Sequence, residues 1–283
     1  MIQSLLNFLA FLGNSFVAAI LIVWTRLHGP KRPLPLATSP VEILGILVDP
    51  ITTAEVLQKV EEFIQLRTPH HIFTADASGI MRAQEEKSLR AIILQADIVT
   101  ADGFGVMLAA QMRGTVLPER VSGCDLVERI SELAAEKGYS EYFFGAAEGV
   151  AIASASALKK RYPGLHIAGT RNGFFSEADE ARIVREITAA KPDVLFVALG
   201  IPKQEQFIRR HFAELGVPVM IGIGGSFDVI SGVLMRAPRW MQRSGFEWLY
   251  RLCQQPGRLP RLYVLPHFVV EAWREGLGPQ HRC

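Results

Sequence analysis

The stretch DVLFVALGIPKQEQFIRRHFAELGVPVMIGI, residues 193–223, decides the fold class. Asp193–Leu199 and Val217–Ile223 are short runs of apolar, partly β-branched residues, which is typical of strands buried on both faces. Between them, Lys203–Phe212 has the pattern of a helix. A helix that separates two buried strands predicts a parallel pair joined by a crossover.

The same alternation of short apolar runs and helical patterns continues towards the N-terminus. It predicts an α/β fold, a Rossmann-like, mainly parallel sheet with helices on both faces. Ser122 with Asp125, and Ser176 with Asp179, have the spacing of helix capping boxes. The remaining apolar or strand segments are Val41–Val48, His71–Ala75, Asp97–Thr100, Tyr142–Gly145 and Leu165–Gly169, and the helical segments are Thr52–Leu66, Ser78–Gln95, Ser122–Lys137, Glu148–Arg161 and Ser176–Ala190.

Composition excludes several classes of protein. Of the 283 residues, 49% are hydrophobic and 20% charged, which excludes a disordered chain. Only one apolar stretch is long enough to cross a bilayer, so the chain is not a multi-span membrane protein. A net charge of +2 is too small to indicate a nucleic-acid partner. The three cysteines form no CxxC pair, and this favours a reducing compartment.

Residues 1–28 are predicted to form a membrane anchor. The segment has no charged residue before Arg26, and its apolar run of twenty residues would span about 30 Å as a helix. It could cross the bilayer or lie in it as a re-entrant or interfacial helix. A cleaved signal peptide is the alternative, but no positive charge precedes the run. Because Arg26, Lys31 and Arg32 follow it, the positive-inside rule places the remainder in the cytoplasm. Residues 29–40 contain four prolines and are interpreted as a linker.

A change of composition separates an α/β domain, residues 41–235, from a tail, residues 236–283. The tail is predicted to be a helical, basic, membrane-contacting appendage. Between Arg236 and Arg261 it has six arginines and one acid, Glu247, with aromatic residues interleaved. Such an appendage would leave the α/β body folded when removed.

Four loops lie at the ends of predicted strands, at the sheet edge where parallel α/β proteins bind ligands. One is Thr74–Asp76, and the three that contain glycine are Ala101–Gly105, Gly145–Gly149 and Gly200–Glu205. Glycines and helix N-termini suit a nucleotide or diphosphate, although each loop alone is also explained as a tight turn. No Walker A and no GxGxxG pattern occurs, which argues against a kinase and a standard dinucleotide enzyme.

Asp102 stands at the end of a predicted strand, directly before Gly103. It could act as a general base on a substrate hydroxyl, or it could cap a helix that starts near Phe104. The sequence leaves both readings open.

The arginines of the tail also have two interpretations. Arg251, Arg258 and Arg261 could bind phosphate oxygens, or they could form a basic face against anionic lipid.

The sequence predicts no metal site and no cofactor. HExxH and clusters of Cys and His are absent. His70 and His71 are adjacent, so on a strand they point to opposite faces and cannot chelate one ion together.

Several collinear motifs between residues 43 and 265 together resemble the WecG/TagA/CpsF family of bacterial glycosyltransferases, glycosyltransferase family 26. The segments that carry the resemblance are ADGFG (101–105), RVSGCDL (120–126), GIPKQE (200–205), GIGGSFD (222–228), RAP (236–238), EWLYR (247–251) and PGRL (256–259). Residues before Leu36 lie outside it.

The resemblance implies an inverting transfer from a UDP-sugar, with N-acetylmannosamine, a uronic acid or a similar sugar, to a polyprenyl-diphosphate-linked saccharide. Family members build cell-envelope polymers or exopolysaccharide at the cytoplasmic membrane face and need no metal. The implied partners are therefore the UDP-sugar donor, the lipid-linked acceptor and membrane lipid. Members can also self-associate, so a homo-oligomer is compatible with the resemblance.

The resemblance also assigns roles to residues. It places the catalytic base at Asp102, puts Thr74 and Gln204 in the pocket with Arg120 nearby, and brings the three tail arginines over the diphosphate. The Gly145–Gly149 loop would take the uridine or its phosphates. The full predicted set of substrate-binding residues is Thr74, Asp76, Gly103, Arg120, Asp125, Gly145, Gly149, Gln204, Gly224, Arg251, Arg258 and Arg261.

Two positions depart from the family pattern. Asp76 stands where Asn is common, and Cys124 stands where Thr is usual. A second carboxylate close to Asp102 would raise the pKa of one of the two. Both departures concern the identity of the donor. The competing functional hypotheses are a nucleotide-sugar dehydrogenase or epimerase, and a non-catalytic membrane scaffold that binds UDP-sugars.

Overall fold

A computed structural model describes residues 34–244, 247–255 and 264–276. The predicted anchor, residues 1–28, and the first five residues of the predicted linker, 29–33, lie outside this part of the chain. Within it, no helix has both the length and the apolar character that crossing a bilayer requires. The membrane helix over residues 1–28 therefore stays a prediction.

The described chain forms two sheets. Val41–Ile43 (β1) and Ile46–Val48 (β2) make a small antiparallel hairpin. The main sheet has six parallel strands in the order β4-β3-β8-β7-β5-β6, which confirms the predicted α/β class. Its strands are β3 (His70–Ala75), β4 (Ile98–Ala101), β5 (Ser140–Gly145), β6 (His166–Arg171), β7 (Val194–Ala198) and β8 (Val219–Gly222).

The described chain has thirteen helices. In chain order they are α1 (Thr53–Leu66), α2 (Ala77–Glu85), α3 (Lys87–Ile93), α4 (Phe104–Met112), α5 (Gly123–Lys137), α6 (Val150–Arg161), α7 (Glu177–Ala190), α8 (Lys203–Arg210), α9 (Phe212–Leu215), α10 (Ser226–Ile230), α11 (Arg239–Ser244), α12 (Glu247–Gln254) and α13 (Val264–Gly276).

Apolar side chains of the strands alternate between the two faces of the sheet, as the pleat of a strand requires. Ile72 and Phe143 pack with α1, α5, α6 and α10 on one face. Phe73 packs with β1, β2, α2, α3, α4 and α13 on the other face. Phe144 lies on that same other face, where it packs with α7, α8 and α9. Both faces are therefore covered, as predicted.

Three predicted segments have different bounds in the structure. Val41–Val48 is a hairpin instead of one apolar run, because Leu44 and Gly45 both adopt positive φ and reverse the chain. Ser78–Gln95 is divided into α2 and α3, since Glu86 between them is extended. Lys203–Phe212 ends as a helix at Arg210, and α9 follows.

Two predicted helix starts are found where expected. Ser176 and Asp179 form a capping box at α7. Ser122 caps α5 by accepting the N–H of Asp125, and its hydroxyl donates to the Asp125 carboxylate at 2.6 Å.

The last helix is built into the core. Phe268 and Ala272 of α13 are buried in the same apolar cluster as Ile43 of the hairpin and Val106 of α4. At the other end of α13, the Glu275 carboxylate accepts the N–H of Leu44 at 2.8 Å. The boundary at residue 236 stays a prediction, but we do not expect the α/β body to remain folded without α13.

Glu141 is an ionisable group enclosed in the core. It lies on β5, is fully buried, and accepts a hydrogen bond from the Ser131 hydroxyl at 2.8 Å. Burial raises the pKa of its carboxyl to about 8, against the opposing effect of that hydrogen bond. The side chain is therefore mostly protonated at neutral pH.

Replacing Glu141 with glutamine is expected to flatten the pH dependence of stability. Between the ordinary pKa of 4.5 and about 8, the folded state holds a proton that the unfolded chain has released. The free energy of unfolding of the wild type therefore falls as pH rises through this range, by at most about 1.4 kcal/mol per pH unit for one group. Chemical unfolding at several pH values within the range measures the slope. The exposed Glu42→Gln serves as control, and parallel curves for wild type and Glu141→Gln would contradict the prediction.

Candidate active site

A crevice opens at the carboxyl ends of β3, β4, β7 and β8. Helix α2, which follows β3, and helix α10, which follows the neighbouring strand β8, pack on opposite faces of the sheet. Because the two helices lie on opposite faces, the loops after β3 and β8 separate and leave a space between them. A cavity of about 610 Å³ lies there. It is large enough for a nucleotide-sized ligand.

Asp102 lines this cavity, half-buried, one residue beyond β4. Its N–H donates to Ala75 O at 2.8 Å, and its Oδ2 accepts the N–H of Gly123, the first residue of α5, at 3.1 Å. The first contact fixes the backbone of Asp102 beside the end of β3, and the second holds its carboxylate at the start of α5.

The alternative role of Asp102 as a cap of the helix near Phe104 stays a prediction. Helix α4 has Gly103 as its N-cap residue. Gly103 has φ of 91°, a conformation that glycine adopts without strain. The Asp102 carboxylate accepts the N–H of Gly123 in a different helix, α5, and Asp102 lines the cavity.

Thr74 and Gln204 form part of the cavity floor and hold its loops together. The Thr74 hydroxyl donates to Gly222 O at 3.0 Å. Gln204 Oε1 accepts the N–H of Gly200 at 3.1 Å and that of Gly224 at 3.0 Å. One amide oxygen thereby joins the loops after β7 and β8. Both side chains lie in the predicted pocket, and their hydrogen bonds to the backbone stabilise the loops that form it.

A buried carboxyl lies beside this floor. Glu205 is fully buried, and its Oε1 accepts a hydrogen bond from Gln204 Nε2 at 2.7 Å. Burial raises the pKa of Glu205 to about 8, and the charge of Asp76 acts in the same direction. The carboxyl is mostly neutral at pH 7, so it adds little negative charge to the site.

Asp76 begins α2 and lines the cavity together with Asp102. Its Oδ1 accepts the N–H of Gly79 at 2.6 Å, the contact of a helix cap. The structure therefore brings the two carboxylates into one cavity, as the sequence suggested. A raised pKa of either one of the pair stays a prediction.

A network of ion pairs lies on the rim of the cavity. Arg120 Nη1 is 2.8 Å from Glu247 Oε2, and Arg120 Nη2 is 3.7 Å from Asp125 Oδ2. Asp125 Oδ1 is also 2.5 Å from Arg236 Nη2. Burial disfavours the charge on Arg120, but the hydrogen bond and charge of Glu247, and the charges of Asp102 and Asp125, hold its pKa above the usual value.

The predicted site residues separate into three groups. The predicted base, Asp102, lines the cavity with six of the predicted substrate-binding residues: Thr74, Asp76, Gly103, Arg120, Gln204 and Gly224. Asp125, Gly145 and Gly149 do not line it. The side chain of Arg251 and the whole of Arg258 and Arg261 lie outside the described part of the structure, so their placement at the site stays a prediction.

The three residues that do not line the cavity, Asp125, Gly145 and Gly149, each have a structural role. Asp125 is engaged by Ser122 and Arg236. At Gly145, a Cβ would collide with the backbone of Ala198, so the glycine permits close contact between β5 and β7. Gly149, with φ of 77°, starts α6. A direct role of these three in binding is not supported by their positions.

No group of three His, Cys, Asp or Glu residues able to hold a metal ion occurs among residues 34–244, 247–255 and 264–276. Metal independence of the reaction stays a prediction.

The sequence profile of the glycosyl transferase WecG/TagA/CpsF family matches residues 41–282, which include every element that forms the cavity. This chain belongs to that family.

Curated relatives agree with the family assignment. The N-acetylglucosaminyldiphosphoundecaprenol N-acetyl-beta-D-mannosaminyltransferase of Bacillus spizizenii is 33% identical over 235 residues, 83% of this chain and 90% of the relative. The enzyme of the same name from Staphylococcus aureus is 31% identical over 236 residues, 83% and 92% of the two chains. That from Bacillus subtilis is 32% identical over 204 residues, 72% and 79%.

Membership of the WecG/TagA/CpsF family confirms the resemblance drawn from the collinear motifs. The protein is a glycosyltransferase, and the alternative of a nucleotide-sugar dehydrogenase or epimerase is wrong.

Four charged residues that line the described cavity were missed as site residues by the sequence interpretation: Arg82, Glu85, Asp228 and Glu247. Glu247 lines the cavity and contacts Arg120. It was visible in the sequence as the lone acid among six arginines of the tail, and that isolation was the available signal. Its partner is 127 positions away in the chain, so the contact could not be read from spacing.

Proposed function

We propose that this glycosyltransferase moves a sugar from a UDP-sugar to a polyprenyl-diphosphate-linked saccharide, with inversion at the anomeric carbon. The observation that carries the proposal is Asp102, held in the crevice with the Arg120 guanidinium on the rim. The named relatives join an N-acetylmannosaminyl group to N-acetylglucosaminyldiphosphoundecaprenol. We infer the same class of donor and acceptor for this chain.

The reaction is a single displacement. Asp102 takes the proton of the acceptor hydroxyl while the oxygen attacks the anomeric carbon from the side opposite the leaving group. A bond forms between the acceptor oxygen and the anomeric carbon, and the bond from that carbon to the UDP oxygen breaks. UDP leaves with the bonding electron pair, and the proton remains on Asp102 until water removes it.

The departing UDP requires positive charge. Five carboxylates but only two guanidinium groups, those of Arg82 and Arg120, line the described part of the cavity. A diphosphate would be repelled by this balance, so additional cations are needed. Arg251, Arg258 and Arg261 of the tail are suited to supply them, because an arginine fork binds phosphate oxygens in a bidentate manner.

The lipid acceptor requires that the site reach a membrane. Val233, Met235 and Trp240 are exposed apolar side chains close to Arg236, at the start of the tail. Trp suits the bilayer interface, and arginine suits lipid phosphates. With residues 1–28 as an anchor, we infer that the protein works at the cytoplasmic face of the bacterial inner membrane.

A donor screen tests this function. Full-length protein in detergent is mixed with a synthetic polyprenyl-diphosphate N-acetylglucosamine and a panel of UDP-sugars, beginning with UDP-N-acetylmannosamine and UDP-uronic acids. Mass spectrometry of the acceptor is expected to show the gain of one sugar residue with at least one donor, and EDTA is expected to leave the rate unchanged. UDP binding without any gain of mass would contradict the proposed donor and acceptor.

A further inference from the structure

Glu247 connects the tail to the crevice. It is the first residue of α12, its side chain lines the cavity, and its carboxylate accepts a hydrogen bond from Arg120 at 2.8 Å. The two side chains are only 23% and 19% exposed, so solvent screens the pair weakly. A carboxylate at a helix N-terminus is also favoured by the helix dipole.

The opposite end of α12 is fixed independently. The side chain of Gln254 accepts the N–H of Met235 and donates to its carbonyl, both at 2.8 Å. An eight-residue helix is about 12 Å long. The ion pair of Glu247 and the amide pair of Gln254 therefore determine where α12 lies against the α/β body. Position 251 follows Glu247 by four residues, one helical turn.

Glu247 also decides which carboxylate Arg120 contacts. The guanidinium is hydrogen-bonded to Glu247, while Asp125 lies at 3.7 Å and Asp102 acts on it through its charge. Asp125 is shared with Arg236 at 2.5 Å. If Glu247 lost its charge, Arg120 would have two remaining acids to approach, and one of them is the proposed base.

We propose that Glu247 is a positioning residue of this enzyme: it holds Arg120 on the rim, away from direct pairing with Asp102, and it seats α12 over the crevice. This inference rests on the proposed function of Asp102. An Asp102 carboxylate paired directly with Arg120 would be a weaker base, because a neighbouring cation stabilises its ionised form. Among the described residues, the other ionisable side chains that line the same cavity are Asp76, Arg82, Glu85, Cys124 and Asp228.

The test compares Glu247→Gln and Glu247→Ala with the wild type in the full-length enzyme. We expect kcat to fall by about 10-fold to 100-fold, the range typical of a displaced catalytic group. The KM for the UDP-sugar should change much less than kcat, and the acidic limb of the pH–rate profile should move to lower pH. Glu247→Asp, which keeps the charge, should recover part of kcat.

Glu271→Gln is the matched control, because Glu271 also pairs with an arginine, Arg274, on the tail but does not line the cavity. It should leave kcat and the pH profile unchanged. Wild-type kcat and an unmoved acidic limb in both Glu247 variants would overturn the proposal. A large fall of melting temperature in both would also overturn it, since Glu247 would then serve the fold.

The experiment distinguishes a failure of the proposed role of Glu247 from a failure of the proposed function. A wild type that transfers no sugar contradicts the function itself. An active wild type whose Asp102→Asn variant is inactive, while the Glu247 variants remain normal, contradicts only the role of Glu247.

Discussion

Asp102→Asn is expected to lower kcat by about 10²–10⁴-fold, the contribution typical of a positioned general base. Asparagine has nearly the same shape and can still accept the N–H of Gly123, the contact that Asp102 makes at 3.1 Å. The melting temperature and the affinity for UDP should therefore remain close to wild type. Steady-state kinetics with the lipid-linked acceptor, thermal melting and UDP titration measure the three quantities.

Asp49→Asn is the control for Asp102→Asn. The Asp102 carboxylate accepts the N–H of Gly123 in α5, and the Asp49 carboxylate likewise accepts a backbone N–H, that of Val99 in β4 at 2.7 Å, but Asp49 does not line the cavity. If disturbance of β4 were the cause of lost activity, this variant would lose activity as well. Transfer by Asp102→Asn within tenfold of the wild type would remove Asp102 from the role of base.

Replacing Arg251, Arg258 and Arg261 together with alanine is expected to lower kcat/KM by about 10²-fold or more, because loss of even one donor to a developing anion has an effect of this size. The physical reason is the acidic lining of the cavity, in which carboxylates outnumber guanidinium groups in the described residues. Inhibition by the product UDP should weaken in parallel. Initial rates at varied donor and UDP concentrations measure both effects.

The matched control for the triple variant replaces Arg239 and Arg243, two other arginines of the tail. It lowers the positive charge available to anionic lipid and keeps the three proposed ligands of the diphosphate. A similar loss in both variants, or kcat/KM within threefold of wild type in the triple variant, would contradict a specific role. Deletion of the tail is a poor substitute, because Phe268 of α13 is buried in the core.

The layers of the fold could be predicted from the sequence because strands that are buried on both faces are apolar at consecutive positions. Segments such as Val194–Ala198 are apolar throughout, and their alternation with helical segments favours a parallel sheet that is covered on both faces. The hairpin of β1 and β2 was not predicted, since its turn uses Leu44 with φ of 49°, an uncommon conformation for leucine. The order of the strands is a matter of long-range pairing, which periodicity does not encode.

The site was predicted in part for a similar reason. Asp102 and Gly103 follow a strand directly, so their location at the carboxyl edge could be deduced from the sequence. Gly145 ends a strand at the same edge of the sheet, yet its lack of a side chain serves the contact with Ala198. Sequence position gives the edge of the sheet but not which neighbour a residue touches. For the same reason, the contact of Glu247 with Arg120 could not be predicted from the sequence.

Helix α13 has a consequence for the order of events during synthesis. It completes an apolar cluster whose other members include Val41 and Ile43, more than two hundred positions earlier. A nascent chain cannot close that cluster until residue 272 has emerged from the ribosome. If residues 1–28 enter the bilayer as they are synthesised, the chain is attached to the membrane before its α/β domain can complete this cluster. Folding of the domain would then finish next to the membrane.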